Sequence, residues 1–163
     1  MQIRKAMILA AGLGRRMLPL TETIPKPLIK IGPKNLLERS IELLIKIGVK
    51  EIVLNIYYLS DEIEKFIKSK NYSIQISLIK EEKLLDTGGG IFNATKKFND
   101  DPFFVLNPDT IWNKNYYEEL KILENLYFTN KKPVLLLVDK KKSYDKFFKG
   151  DFNLADRKII TRG

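Results

Sequence analysis

The apolar positions of this chain change period along its length, and the changes mark out its elements. Residues 4–9 read as a short buried strand that ends at Ala10-Ala11-Gly12-Leu13-Gly14, where small residues and glycines break the pattern. Between Leu36 and Ile47, apolar residues at 37, 41, 44, 45 and 47 recur at helical spacing; this predicts a helix ended by Gly48, with a second strand over 51–57. Ser60 or Asp61 is placed to cap a helix through Ile67, whose inner face would be Ile63, Phe66 and Ile67. Strict alternation over 74–78 predicts a third strand. A loop containing Asp86-Thr87-Gly88-Gly89-Gly90 precedes a short helix over 91–98, and the apolar run 103–106 is a fourth strand ending at Asn107-Pro108-Asp109. A helix over 117–127 and a fifth strand over 133–138 come next, and 152–160 reads as strand, turn at Ala155-Asp156, and strand.

Strands alternating with helices are the signature of an α/β fold: a mainly parallel, Rossmann-like sheet with helices on both faces. No internal repeat, low-complexity linker or domain boundary interrupts the 163 residues, so the expectation is a single domain over 1–163. A hydrophobic content of 44% excludes a disordered chain, and no apolar run reaches the roughly 18 residues of a bilayer span. The apolar stretch near the N-terminus is too short for a signal peptide, which reads as a cytoplasmic protein. There is no Cys and no His, which excludes disulfides, a structural zinc site, thiol chemistry and any imidazole mechanism. Catalysis would have to rest on carboxylates, Lys, Arg, backbone amides and a hard metal. The net charge of +9 comes from 23 Lys and 6 Arg set against 20 acidic residues. These lysines are dispersed and no stacking aromatics interleave them, a pattern that suits a small polyanionic substrate better than nucleic acid.

In an open parallel sheet the ligand sits beyond the carboxyl ends of the strands, so the loops there carry the chemistry. The first runs Leu9-Ala10-Ala11-Gly12-Leu13-Gly14-Arg15-Arg16 and continues to Thr21 and Pro25-Lys26-Pro27. Glycines at 12 and 14 let backbone N–H groups approach a phosphate, and Arg16 can add a fork of charged donors. It is not a Walker loop, since no Gly-Lys-Ser/Thr follows, and it lacks the third glycine of a dinucleotide fingerprint.

With that loop the sequence resembles the sugar-1-phosphate nucleotidyltransferases, whose signature L-A-A-G-x-G-x-R-x-x-P-L-T followed by P-K-P is present at every fixed position. The resemblance continues through residues 85–91, through Phe104-Val105-Leu106-Asn107-Pro108-Asp109 and through Gly150-Asp151-Phe152. These later segments look most like the N-acetylmuramate 1-phosphate uridylyltransferases of bacterial cell-wall recycling, with mannose-1-phosphate guanylyltransferases as near neighbours.

The resemblance implies a cytoplasmic enzyme that joins a nucleoside triphosphate to a sugar 1-phosphate and releases pyrophosphate. UTP and N-acetylmuramate 1-phosphate are the preferred pair. GTP with mannose 1-phosphate, or dTTP with glucose 1-phosphate, are the alternatives, and a non-catalytic nucleotide-binding module is the alternative of another class. It also implies the roles of individual residues. Leu9, Ala10, Ala11, Gly12, Leu13 and Gly14 with Arg16 would hold the triphosphate, and Lys26 would neutralise the α-phosphate region. Asp109 would be the Mg²⁺ ligand and Gly88 the backbone contact to the base, with Glu81 at a position where a base-contacting side chain is usual. Asn107, Gly150 and Asp151 would face the sugar phosphate. Arg15, where the family often has a small hydroxyl residue, reads as a surface residue, and Pro108 stands where the family often has Gly. Lys140-Lys141-Lys142 with Lys146 and Lys149 reads as a solvated basic stretch, and Tyr57, Tyr58 and Trp112 as core or pocket wall. Family members run on beyond the position of Gly163 and draw a second metal-binding Asp and part of the sugar pocket from there. The expectation is that residues 1–163 bind nucleotide and Mg²⁺ but turn over slowly. The sequence leaves the oligomeric state open.

Overall fold

The computed structural model describes residues 2–142, 147, 149–156 and 158–162; Lys146 and Gly163 lie outside the described residues. In chain order the elements are β1 (Lys5–Ala10), the paired two-residue strands β2 (Lys30–Ile31) and β3 (Lys34–Asn35), α1 (Leu36–Ile47), β4 (Glu51–Ile56), α2 (Ser60–Lys68), β5 (Gln75–Lys80), α3 (Asp86–Thr95), β6 (Phe103–Leu106), α4 (Tyr116–Asn130), β7 (Phe152–Ala155) and β8 (Lys158–Arg162). Four strands form one all-parallel sheet in the order β5-β4-β1-β6, and β7 and β8 pair antiparallel as a separate hairpin with Asp156 in the turn.

Register explains why the strands read as nearly unbroken apolar runs. Ala6, Ile8 and Ala10 of β1 lie level with Ile52, Leu54 and Ile56 of β4. That face packs on Leu37, Ile41 and Leu44 of α1, Ile63 of α2 and Leu120 of α4. On the opposite face Met7 and Val53 meet Ala94 of α3 and Phe98 just beyond it. The sheet is therefore covered on both faces, as its parallel strands require. Helix α1 has the predicted bounds: Asn35 accepts a hydrogen bond from the Glu38 amide at 2.7 Å at its start, and Gly48 closes its end. Helix α4 is tied to the start of the chain by a buried carboxylate, Glu124 accepting from the Ile3 amide at 2.6 Å and from Lys121 Nζ at 3.1 Å.

Three expectations are corrected. Residues 133–138 form no strand: they pair with no neighbour among the described residues, and Leu135, Leu136 and Val138 are exposed. Apolar content alone does not make a strand where no sheet edge supplies hydrogen bonds. Neither Ser60 nor Asp61 caps α2; Ser60 is its first helical residue, and the cap position falls to Leu59 with a left-handed backbone, φ 49°. The Asp86–Gly90 segment is not a loop before a helix but the opening of α3 itself.

Tyr72 packs against the core with its hydroxyl buried and without a hydrogen-bond partner among the described residues. Burial pushes its pKa up to about 12, with the Glu38 and Glu42 carboxylates adding to the rise. Because the folded value lies above the ordinary 10.0, the stability tied to the neutral hydroxyl is fully present below pH 10.0 and is lost as pH rises through about 12. Tyr72→Phe is expected to melt at or slightly above the wild-type temperature at neutral pH and to flatten that alkaline loss. Thermal melts over pH 9 to 12 check it, and an undiminished alkaline fall in the variant would rule this tyrosine out as its source.

No helix among the described residues is long and apolar enough to cross a membrane. The chain runs outward from β1 through β4 to β5, then returns to place β6 on the other flank of β1. That reversal opens a crevice beyond the carboxyl ends of β1 and β6, where an α/β sheet binds its ligands.

Candidate active site

A cleft of about 340 Å³ lies at that reversal. Its floor is the end of β1 and the loop after it, Leu9 to Gly12, with Arg16 from the following turn. Lys26 and Pro27 form one wall, Asn107, Pro108 and Asp109 from the end of β6 another, and Leu84, Asp86 and Thr87 around the start of α3 a third. Asn55 and Glu81 close it from the ends of β4 and β5.

The glycine loop owes its shape to a tether. Gly14 adopts φ 65°, and a Cβ there would stand 2.8 Å from Thr21 Cγ2, so only glycine fits both the angle and the approach. Thr21 is fully buried; its hydroxyl donates to the Gly14 carbonyl at 2.9 Å, and its own carbonyl accepts from the Tyr58 hydroxyl at 3.0 Å. Gly14 and Leu13 are thus absent from the cleft lining, and Gly14 acts by fixing the turn that presents Gly12 and Arg16. Arg16 is exposed and makes no ion pair with the described residues, while Arg15 is exposed as expected.

Lys26 opens a 3-10 turn whose next residue, Pro27, is buried, and this holds the lysine over the cleft. Its Nζ lies 2.6 Å from Asp109 Oδ2, with the two side chains 23% and 40% exposed. Residues 83 positions apart therefore meet as a charge-assisted hydrogen bond. Asn107 lines the cleft, and its backbone is fixed from behind by Trp112, whose Nε1 donates to the Asn107 carbonyl at 2.9 Å. Trp112 is core, Tyr58 is part of the loop tether, and Tyr57 is exposed rather than core.

At the opposite end the cleft is acidic. Asp86 lines it from a left-handed backbone, φ 55°, at the first residue of α3. Glu81 is only 4% exposed, and both oxygens are engaged: Oε1 accepts from Asn55 Nδ2 at 2.8 Å and Oε2 from the Leu85 amide at 3.1 Å. Sequence reasoning missed Asn55, whose one signal is a polar residue inside an otherwise apolar strand. Gly88 is exposed on the first turn of α3, beside Thr87, without itself lining the cleft. Gly150 and Asp151 are not brought to the cleft either: they lead into the β7–β8 hairpin, which stands apart from the main sheet. Lys140, Lys141 and Lys142 form an exposed turn outside the lining, and Lys149 is exposed too.

Among the described residues no group of three or more acidic side chains could cage a metal. The donor set does suit a hard cation held by one carboxylate. Asp109 is half-exposed at a strand end and already neutralises a cationic ammonium, and a small divalent ion completes its shell with phosphate oxygens and water.

A profile of the nucleotidyl transferase family matches residues 5–144. The chain is 42% identical over 111 residues to the mannose-1-phosphate guanylyltransferase catalytic subunit beta of Xenopus tropicalis, covering 66% of this chain and 31% of that protein. It is 38% identical over 112 residues to the N-acetylmuramate alpha-1-phosphate uridylyltransferase of Caulobacter vibrioides, covering 66% and 46%. The match thus spans less than half of each of these relatives. In three dimensions it superposes on a UDP-glucose pyrophosphorylase complexed with UDP-glucose at a TM-score of 0.69, covering 80% of this chain and 55% of that one at 22% identity, a likeness of fold.

Proposed function

Because the chain belongs to the nucleotidyl transferase family, we propose that its cleft transfers a nucleotidyl group from a nucleoside triphosphate to a sugar 1-phosphate. The observation that carries this reading is the meeting of Lys26 and Asp109 at 2.6 Å beside the glycine loop, with Arg16, which makes no ion pair among the described residues, lining the same cleft. One oxygen of the sugar phosphate attacks the α-phosphorus in line; the new P–O bond forms as the bond to the β-phosphate breaks, and pyrophosphate leaves with the electron pair. A phosphate dianion needs no base to activate it, which suits a chain without histidine. What the step needs is fixed positive charge on the tail and leaving group. The amides of the Gly12 loop and Arg16 supply it there, and Lys26 neutralises the α-phosphate. Asp109 would hold Mg²⁺, which would supply positive charge to the reacting phosphates. The nucleobase would lie toward Thr87 and Gly88 at the start of α3.

UTP and N-acetylmuramate 1-phosphate are the substrates we assign. Support comes from residues 85–91 and from the Caulobacter relative. GTP with mannose 1-phosphate is the second reading, favoured by the higher identity to the Xenopus protein. A pyrophosphate-release screen of four NTPs against a panel of sugar 1-phosphates tests both. The expected result is the highest kcat/KM for UTP with N-acetylmuramate 1-phosphate. A GTP preference would move the assignment to the guanylyl reading. Nucleotide binding without pyrophosphate release from any pair would sink the enzymatic reading and leave a binding module.

A further inference from the structure

Asn55 and Glu81 are the two most buried polar side chains of the cleft, 3% and 4% exposed, and they form a continuous relay. Asn55 Oδ1 accepts from the Ala10 amide at 3.0 Å, Asn55 Nδ2 donates to Glu81 Oε1 at 2.8 Å, and Glu81 Oε2 accepts from the Leu85 amide at 3.1 Å. Ala10 is the last residue of β1, where the glycine loop begins, and Leu85 is the residue before α3. The relay therefore joins the phosphate end of the cleft to its base end through two side chains. Helix α3 descends directly onto it: a Cβ on Gly90 would stand 2.7 Å from Asn55 Nδ2 and 3.0 Å from Glu81 Oε1. That approach accounts for one glycine of a triplet that otherwise weakens a helix.

We propose that Asn55 and Glu81 are positioning residues that hold the triphosphate loop and the base-binding start of α3 in register, so that one nucleotide fits both ends at once. The proposal rests on the nucleotidyl-transfer reading above. Its physical ground is cost. No Lys or Arg pairs with Glu81 among the described residues, so a buried carboxylate is retained on two hydrogen bonds alone, where an apolar pair would pack the same space with less desolvation. What an apolar pair cannot do is orient the Ala10 and Leu85 N–H groups, and those are the backbone positions that set the two ends of the cleft.

The donor and acceptor pattern supplies its own test. In Asn55→Asp two carboxylates face each other. In Glu81→Gln the new amide meets a second N–H, from Asn55 or from Leu85, whichever way it turns. In the double variant Asn55→Asp/Glu81→Gln every donor again has an acceptor: the new carboxylate at position 55 accepts from Ala10 and from the new amide at 81, whose oxygen accepts from Leu85. Total charge is unchanged. Each single variant is expected to weaken NTP binding roughly tenfold, measured by calorimetry. The KM for sugar 1-phosphate should move less than about twofold, and the double variant should return NTP affinity to within about threefold of wild type. A role in stability alone would lower the melting temperature and shift both substrates together. Single variants with wild-type NTP affinity would overturn the proposal, as would a folded double variant that still binds NTP poorly. If the singles do not fold, the double decides it. Failure of the wild-type protein to bind any NTP would instead remove the reading of the cleft, and the relay's role with it.

Discussion

Asp109→Asn is expected to reduce nucleotidyl transfer by about a thousandfold or more, with the fold intact. The substitution keeps the shape of the side chain and its place after β6, and removes its negative charge. A neutral amide oxygen is a poor ligand for a hard divalent cation, and among the described residues no cluster of three or more acidic side chains offers another cage. Loss of the ion pair with Lys26 costs little in stability, because both partners are open to solvent and such pairs contribute about 1 kcal/mol at most. Catalytic loss and unfolding are therefore separable in one variant. Pyrophosphate release titrated with Mg²⁺, alongside a thermal melt, checks it; wild-type Mg²⁺ dependence in the variant would dismiss Asp109 as the ligand.

The sheet was legible because its strands are buried on both faces. Ile52, Val53 and Leu54 are all fully buried, so no polar residue was needed to reveal where the strand lay. Helix α1 was legible for a different reason: one apolar stripe and a terminal Gly agree on its bounds, and the Asn35 cap supports them in the structure. The misreadings occur where tertiary contacts override local preference. Gly88-Gly89-Gly90 reads as loop on propensity, yet Gly90 is required inside a helix by the approach of Asn55. Residues 133–138 have strand composition without a partner strand among the described residues, a fact about the neighbourhood that composition does not carry.

For the site, the motif and the resemblance beyond it placed Gly12, Arg16, Lys26 and Asp109 together, and they do line one cleft. It did not distinguish residues that present themselves to a ligand from residues that shape the loop. Gly14 belongs to the signature through its turn and its contact with Thr21, not through exposure in the cleft. Glu81 invites a reading as a charged surface residue because it sits in a lysine-rich segment; its burial follows from Asn55, 26 positions away, which the local pattern cannot encode.

Lys26→Ala is expected to lower kcat/KM by roughly 10²–10³-fold, the usual loss when one fixed donor to transition-state charge is removed, and Arg16→Ala by a similar factor. The two variants should differ in what they do to the cation. Arg16 makes no ion pair with the described residues, so its removal leaves Asp109 as it was. Lys26 already occupies that carboxylate at 2.6 Å, so in the nucleotide-free protein a divalent cation must displace an ammonium to bind. Removing the ammonium removes the competitor, and Mn²⁺ should then bind the nucleotide-free variant more tightly than wild type, even as turnover falls. Paramagnetic titration of Mn²⁺ without nucleotide reads that affinity independently of activity. Tighter Mn²⁺ binding with impaired turnover in Lys26→Ala, against unchanged Mn²⁺ binding in Arg16→Ala, is the expected pattern. Wild-type kcat/KM in Lys26→Ala would remove this lysine from the chemistry, and unchanged Mn²⁺ affinity there would mean that the pair does not compete with the metal.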